Sequence, residues 1–364
     1  MTRALIVIVP VFNGSRFLSE ALTSIQNQTF TDFDVVISDN HSTDSSVAIA
    51  SDFVASDSRF SIVRTPIHFK LAEDHLSYLL KSKSLWQQYK YLAFRHDDDV
   101  LVRSMFAEQM SKLCEHFTAP LCFTGAYVTD ELLNIKYQSV SCARNTRYLN
   151  SSSLLYSEID LISGGLLSSV TAFTPSVIIR VESIEGLDLR LDDKTNGKAA
   201  DFGLWVEIVR ISGSAIILPK ALFYYRKHLG SDSAVSDKVG LKNCFLDFLS
   251  AYMAINVVSF SNSEYSHLAR LILMESLYRF AITGRLSSLP MLADRLAKFE
   301  GLCKFHFILM GLNPSGFKVL YEVLVASLIS FLGNYMPLSV SKKNRALFMF
   351  LRPLYLIKSL FASR

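Results

Sequence analysis

Cysteine is scarce in this chain of 364 residues. There are five, an odd number, scattered at Cys114, Cys122, Cys142, Cys244 and Cys303. No two have metal-ligand spacing, and they read as reduced thiols in a cytosolic compartment. Long hydrophobic runs are also lacking. Half of the residues are hydrophobic and the mean hydropathy is positive, yet no stretch has the length of a clean membrane span. The apolar run Ala4–Val9 is too short, and too close to Pro10, for a secretion signal, and no cleavage pattern follows it. No repeat, low-complexity tract or recognised nucleic-acid module occurs, so nucleic acid is not expected as a partner.

What is present is unevenly distributed. The net charge of +4 hides a basic excess in residues 236–364 and an acidic excess before them. From 303 to 364 there are eight basic residues against one acidic, Glu322. A basic, oily tail suits anionic lipid headgroups.

The front third alternates strand and helix patterns. Strands are expected at Ala4–Val9, Asp34–Ser38, Phe60–Arg64, Tyr89–Arg95 and Leu121–Val128. Helices are expected at Ser15–Gln28, from Asp44 to about Ser56, at Leu71–Lys83 and at Ser104–His116, the first with Phe17, Leu18, Ala21, Leu22 and Ile25 on one face. This alternation implies an α/β fold with a doubly wound, mostly parallel sheet. A second unit follows, with strand Phe173–Arg180, helix Asp201–Ile211 and strands Ala215–Leu218 and Ala221–Arg226. After Gly230 the pattern becomes long apolar helical faces, so two domains are expected: 1–235, and a mostly helical C-terminal region, 236–364.

Three adjacent carboxylates, Asp97, Asp98 and Asp99, directly follow the strand-like run 89–95. Such charges repel one another, and no packed core favours them. At a strand's C-terminal end they can hold a hard cation, which in turn holds phosphates; a solvated acidic turn is the plainer reading. Open α/β sheets bind ligands beyond these strand ends, where Asn13 and Asp39 are also expected.

Four segments stand in order: Val9-Pro10-Val11-Phe12-Asn13-Gly14; Ile37-Ser38-Asp39-Asn40-His41-Ser42-Thr43-Asp44; His96-Asp97-Asp98-Asp99; and Ala200-Asp201-Phe202-Gly203-Leu204-Trp205 with Tyr224-Tyr225-Arg226-Lys227-His228. Over residues 4 to about 233 this set resembles the family 2 inverting glycosyltransferases of the GT-A fold, in their bacterial surface-polysaccharide form. The resemblance implies roles. Pro10, Val11, Phe12 and Asn13 line the nucleotide site, with Pro10 stopping the first strand. Asp39 accepts from the base, an Asx turn with Asn40 being the alternative. Asp99 binds Mn²⁺ or Mg²⁺, and Asp97 is the other end of a D-x-D pattern, facing ribose or a metal-bound water. Asp98 belongs to the same donor site. Asp201 is the catalytic base that takes the acceptor's proton, a role compatible with capping its helix. Arg226 and His228 contact diphosphate or metal beneath a closing loop. Asp44 reads as a helix cap and Trp205 as a packing residue.

The chain also departs from the family. His68-Phe69-Lys70 replaces the Asn-x-Gly that often follows the third strand, Ala200 replaces one acid of the Glu-Asp pair, and the commonest metal motif carries an Asp at its front, where His96 stands here. In the tail, Val319–Leu332 reads as a buried or interfacial helix. Arg345–Arg364 reads as a membrane-surface helix kinked at Pro353, against a packed helix as the alternative.

The expectation is an enzyme on the cytoplasmic face of the cell membrane, peripherally bound. It would move a sugar from a UDP- or dTDP-type donor to a glycan hydroxyl, on a lipid-linked O-antigen or capsule precursor. A polyprenyl-phosphate sugar synthase and a silent nucleotide-sugar-binding scaffold are the alternatives.

Overall fold

Residues 5–9 are apolar without interruption because the strand they form is covered on both faces. In the computed structural model, which describes residues 2–139, 155–156, 174–187 and 200–231, Leu5, Ile6, Val7, Ile8 and Val9 are at most 1% exposed. Each such side chain contributes roughly 1.5–3 kcal/mol of burial. The strand β1 (Leu5–Val11) pairs in parallel with β2 (Phe33–Asp39) on one side and β4 (Tyr91–Phe94) on the other. β3 (Phe60–Arg64) adds to β2 in parallel. Between them run α1 (Leu18–Gln26), α2 (Ser46–Ser56) and α3 (Ala72–Lys81). The predicted face of α1 is buried at Phe17, Leu18, Ala21, Leu22 and Ile25.

The sheet continues through β5 (Val100–Leu101), β6 (Leu121–Thr129), β7 (Ile135–Ser139), β8 (Leu155–Tyr156), β9 (Ile178–Arg180) and β10 (Ala215–Arg226), with helices α4 (Met105–Glu115) and α5 (Ala200–Ser212). Its order is β3-β2-β1-β4-β9-β6-β10-β5, with β7 beside β6 and β8 beside β10. β9 is antiparallel to both β4 and β6, and β10 is parallel to β6. The strands β3, β2, β1, β4, β6 and β10 therefore share one direction, and their C-terminal ends meet at one edge.

Several local expectations change. Pro10 does not stop β1, because Pro10 pairs with Ser38 and Val11 with Asp39. The Val11 carbonyl accepts from Asn40 on the β2 side, and the Ile8 carbonyl accepts from Arg95 on the β4 side. Pro10 shares the parity of Ile8, so its missing N–H points to β4. That ladder has already ended at the Ile8–Phe94 pair, and a proline there costs no bond. Residues 215–226 form one strand, its register shifting around Ala221, with Pro219 and Lys220 exposed. Of the expected strand Phe173–Arg180, the described residues begin at 174; among them strand covers 178–180, and Thr174–Ser176 is a 3₁₀ turn. The short strands β5, β7 and β8 were not foreseen. The chain divides into two compact units, Met1–Ala251 and Tyr252–Arg364, and the expected helical region 236–364 lies outside the described residues.

Candidate functional site

The loops after β1 and β2 are sewn together by side chains. Asn13 sits at φ 51°, a left-handed conformation that asparagine tolerates. Its Oδ1 accepts from the Thr43 N–H at 2.8 Å, and its own N–H donates to Ser42 Oγ at 3.0 Å. Asp44 accepts from the Ser15 N–H through Oδ2 and from the Ser46 N–H through Oδ1. Burial alone would raise the Asp44 pKa, but the bonds from Ser46 and Ser15 outweigh it and hold it at about 2. Asp44 stands one residue before the N-cap of α2, Ser45, rather than at it, and joins the start of the helix to the loop after β1.

Asp39 ends β2 and is buried. Its Oδ1 accepts from the Ser42 N–H at 3.0 Å, closing a turn with Ser42, while Oδ2 lies 3.7 Å from Arg64 Nε. Val11 is buried beside it, whereas Phe12 is 48% exposed and stacks obliquely on His68, the ring centroids 4.7 Å apart. Asn40, expected only as a turn partner of Asp39, builds that wall. Its carboxamide donates to the Phe69 carbonyl and accepts from the Phe69 N–H, both at 2.8 Å, and its carbonyl accepts from His68 Nδ1. The signal for it was the departure at 68–70, a loop that needs its own anchor.

β4 ends at Phe94, and Arg95 turns inward, 1% exposed. Its Nη1 donates to the carbonyls of Phe94 and Val177, and its guanidinium lies over Phe106. Burial lowers its pKa to about 9, with the charge of Asp99 opposing. The three carboxylates that follow diverge. Asp97 lies against Gly14, where any Cβ would collide with it. Asp98 pairs with His228, Oδ2 to Nε2 at 2.9 Å. Asp99 points into the protein, 2% exposed, and its Oδ1 accepts from the Arg226 N–H at 2.9 Å. Its other oxygen, Oδ2, is buried with no hydrogen-bond partner. His96 Nδ1 lies 3.5 Å from it. Burial, then the charges of Asp98 and Asp97, push the Asp99 pKa well above the carboxylate range against the pull of the Arg226 N–H.

Ligand-type atoms of His96, Asp98 and Asp99 all lie within 4.8 Å of one another. That spread, with a buried unpaired carboxylate oxygen inside it, suits one divalent cation with bonds of roughly 2.0–2.6 Å. Asp97, expected as a ligand, stands outside this group, and His96 stands in it.

Arg226, expected to reach a ligand, is instead consumed within the protein. It is 3% exposed, and its guanidinium bonds the carbonyls of Asp98 and Glu131 and the carboxylate of Glu20. Buried guanidinium groups need such full pairing, and here the pairing locks the end of β10 onto the acidic turn. His228 is half-buried between Asp98 and the ring of Phe17. Asp201 lies in the first turn of α5, and its Oδ2 accepts from Thr174 Oγ1 at 2.7 Å. Three residues on, the Val177 carbonyl accepts from Arg95, so bonded neighbours connect Asp201 to the acidic turn. Trp205 is buried and packs edge-on against Phe123, as expected of a packing residue.

Comparison with known proteins places this geometry. Residues 6–173 match the family model described as Glycosyl transferase family 2. An uncharacterized glycosyltransferase of Haemophilus influenzae is 24% identical over 144 residues, 39% of this chain and 54% of that protein. The GalNAc(5)-diNAcBac-PP-undecaprenol beta-1,3-glucosyltransferase of Campylobacter jejuni is 28% identical over 111 residues, 30% of this chain and 35% of that protein. The chain thus spans about half the length of the first of these curated relatives and about a third of the second. Among solved structures, residues 1–349 of S. aureus TarS in complex with UDP superpose with a TM-score of 0.55 at 15% identity, over 82% of this chain and 80% of that one. The same protein with UDP-GlcNAc gives 0.53 at 16%, with the same coverage. The likeness is one of fold, and the fold is of the GT-A type.

Proposed function

We propose, on the premise that residues 6–173 form a glycosyl transferase family 2 domain, that the protein is an inverting glycosyltransferase. Its donor is a sugar on a UDP- or dTDP-type nucleotide, and its acceptor is a saccharide hydroxyl on a lipid-linked surface-polysaccharide precursor. The observation that carries the reading is the bare, buried Oδ2 of Asp99, at the strand edge shared with Asp39 and Phe12. A buried carboxylate with one oxygen lacking a hydrogen bond is costly unless a cation completes it.

Each group at the edge has work to do. Phe12, standing out beside Val11 and His68, offers a face to a nucleobase. The Asp39 carboxylate accepts an N–H, which a pyrimidine's imide supplies. Asp99, with neighbours from the same turn, would hold Mn²⁺ or Mg²⁺. When bound, such an ion neutralises charge on the departing diphosphate. Asp98 and Arg226 hold that turn against β10, and Asp97 is set against the loop of Asn13 and Gly14. Asp201 takes the acceptor's proton as the hydroxyl attacks the anomeric carbon from the face opposite the nucleotide, which inverts that centre. Thr174 orients one carboxylate oxygen of Asp201.

The Campylobacter relative is named for transfer to a PP-undecaprenol-linked chain, which supports a lipid-linked acceptor. Such an acceptor favours the inner face of the cell membrane. The basic tail beyond about 300, outside the described residues, is our candidate for attachment there. Among the described residues no helix is long and apolar enough to cross a membrane. A screen of nucleotide sugars for metal-dependent binding and hydrolysis tests the assignment. Release of nucleotide from one UDP- or dTDP-sugar is expected, and silence across the whole panel, with tight UDP binding retained, would reduce the protein to a binding module.

A further inference from the structure

We propose that His96 is itself a ligand of the divalent ion, which makes the site a mixed nitrogen–oxygen one that prefers Mn²⁺ to Mg²⁺. This rests on the reading that a divalent ion serves the edge, and it adds the identity of a ligand and the choice of ion.

Three observations carry it. His96 Nδ1 is the polar atom set opposite the unpaired Asp99 Oδ2, at 3.5 Å. That separation is long for a direct bond and suits two donors that would share one ion. The second end of the D-x-D pattern, Asp97, is turned to Gly14 and lies outside the group of ligand atoms, whereas His96, Asp98 and Asp99 lie inside it. His96 is also delivered by a fixed backbone. Its neighbour Arg95 donates its N–H to the Ile8 carbonyl and its guanidinium to Phe94 and Val177. The imidazole is therefore presented from the end of a buried strand rather than from a free loop.

The chemistry follows from ligand type. Mg²⁺ takes hard oxygen ligands in a near-ideal octahedron and keeps its waters. Imidazole nitrogen favours transition-metal ions over Mg²⁺. A histidine at the front of the acidic turn therefore gives up affinity for Mg²⁺ and gains it for Mn²⁺. His228, the other nearby imidazole, is paired through Nε2 with Asp98 and holds that carboxylate in place.

The test uses the full chain. Mn²⁺ is titrated, alone and with UDP, and free ion is counted by electron paramagnetic resonance. The bound ion is then examined for imidazole nitrogen by electron spin echo modulation. Wild type should show nitrogen modulation, and His228→Gln should keep it. His96→Gln should lose the modulation and bind Mn²⁺ roughly tenfold or more weakly, with little change for Mg²⁺ in competition. His96→Asp should bind again, with the preference moved toward Mg²⁺. The His96 side chain is 38% exposed, so these changes leave the core intact. Mn²⁺ that binds, is lost in Asp99→Asn and yet shows no imidazole nitrogen would overturn the role of His96 alone. Absence of Mn²⁺ binding with and without UDP would overturn the ion site and this inference with it.

Discussion

The backbone N–H of Arg226 donates to Asp99 Oδ1 at 2.9 Å and leaves Asp99 Oδ2 bare. The end of β10 thus holds the acidic turn by one oxygen and reserves the other. The same arginine's side chain bonds the Asp98 carbonyl, so two successive residues of the turn are fixed from one position on a distant strand.

Asp99→Asn separates the cost of that arrangement from its use. The amide oxygen can still accept from Arg226, but the buried charge and its repulsion by Asp98 and Asp97 disappear. Without metal, the variant should melt at the same temperature as wild type or higher. Divalent-ion dependence and nearly all turnover should be lost. Thermal melts in EDTA beside a donor-hydrolysis assay read both, and a wild-type rate with a normal Mn²⁺ response would show that Asp99 is not a metal ligand.

Asp201→Asn keeps an acceptor for Thr174 but cannot take a proton. Turnover should fall by roughly 10²–10⁴, while UDP or dTDP affinity by calorimetry stays near wild type. A phosphate acceptor would need no base, so an unchanged rate would favour the polyprenyl-phosphate synthase. Loss of nucleotide binding with turnover intact would move Asp201 to the donor side.

Gly14→Ala probes a close approach between the first loop and the acidic turn. The new methyl must displace the Asp97 carboxylate, so donor KM should rise several-fold with little change in melting temperature. In the Asp97→Ala background the same substitution should add nothing, because the carboxylate it displaces is gone. Additive losses in the double variant would show that Gly14 acts through other contacts.

His75 provides a pH signature away from the acidic turn. It is buried, its Nε2 lies 2.9 Å from Ser38 Oγ, and its ring stacks on Phe69. Burial pushes its pKa down from 6.5 to about 4, with the charge of Asp39 opposing in part. Between those values the unfolded chain binds the proton and the folded one does not. Stability should therefore fall as pH drops from about 6.5 to 4, by up to about 3 kcal/mol from this group. Urea unfolding of wild type and His75→Gln across that range should differ in slope, and parallel curves would refute the assignment.

Residues beyond about 300 should attach to anionic bilayers through basic side chains, each contributing ~1 kcal/mol. Leu351, Leu354, Ile357 and Phe361 would add a component that salt does not remove. Full-length protein and charge reversals at Arg345, Arg352 and Lys358 should be co-sedimented with anionic and neutral vesicles across ionic strength. Reversals that sediment like wild type would leave the tail as a packing region.

Much of the fold was legible because its signals are local. The alternation of apolar strands with amphipathic helices placed β1 to β4, β6 and their helices in order. The buried face of α1 follows from spacing alone. Strand-end logic also brought Asn13, Asp39 and the three aspartates to one edge. The short strands β5, β7 and β8 escaped because they become strand by pairing with β10 and β6, partners distant or irregular in register. Pro10 misled because a proline stops a strand only where its missing N–H would be used, and the neighbouring ladder settles that.

The chain by itself determined which chemistry is available: acidic groups after the fourth strand, a carboxylate opening a helix at 201, and Tyr224 to His228 ending the last strand. Only the tertiary structure decided how those groups are used. It buried Arg226 as a brace, set Asp97 against Gly14, clamped the 68–69 loop with Asn40, and left one oxygen of Asp99 facing His96. The physical reason is distance along the chain. Residue type and spacing set what a side chain can do, but its partner in each of these contacts, His96 aside, lies between 28 and 206 positions away.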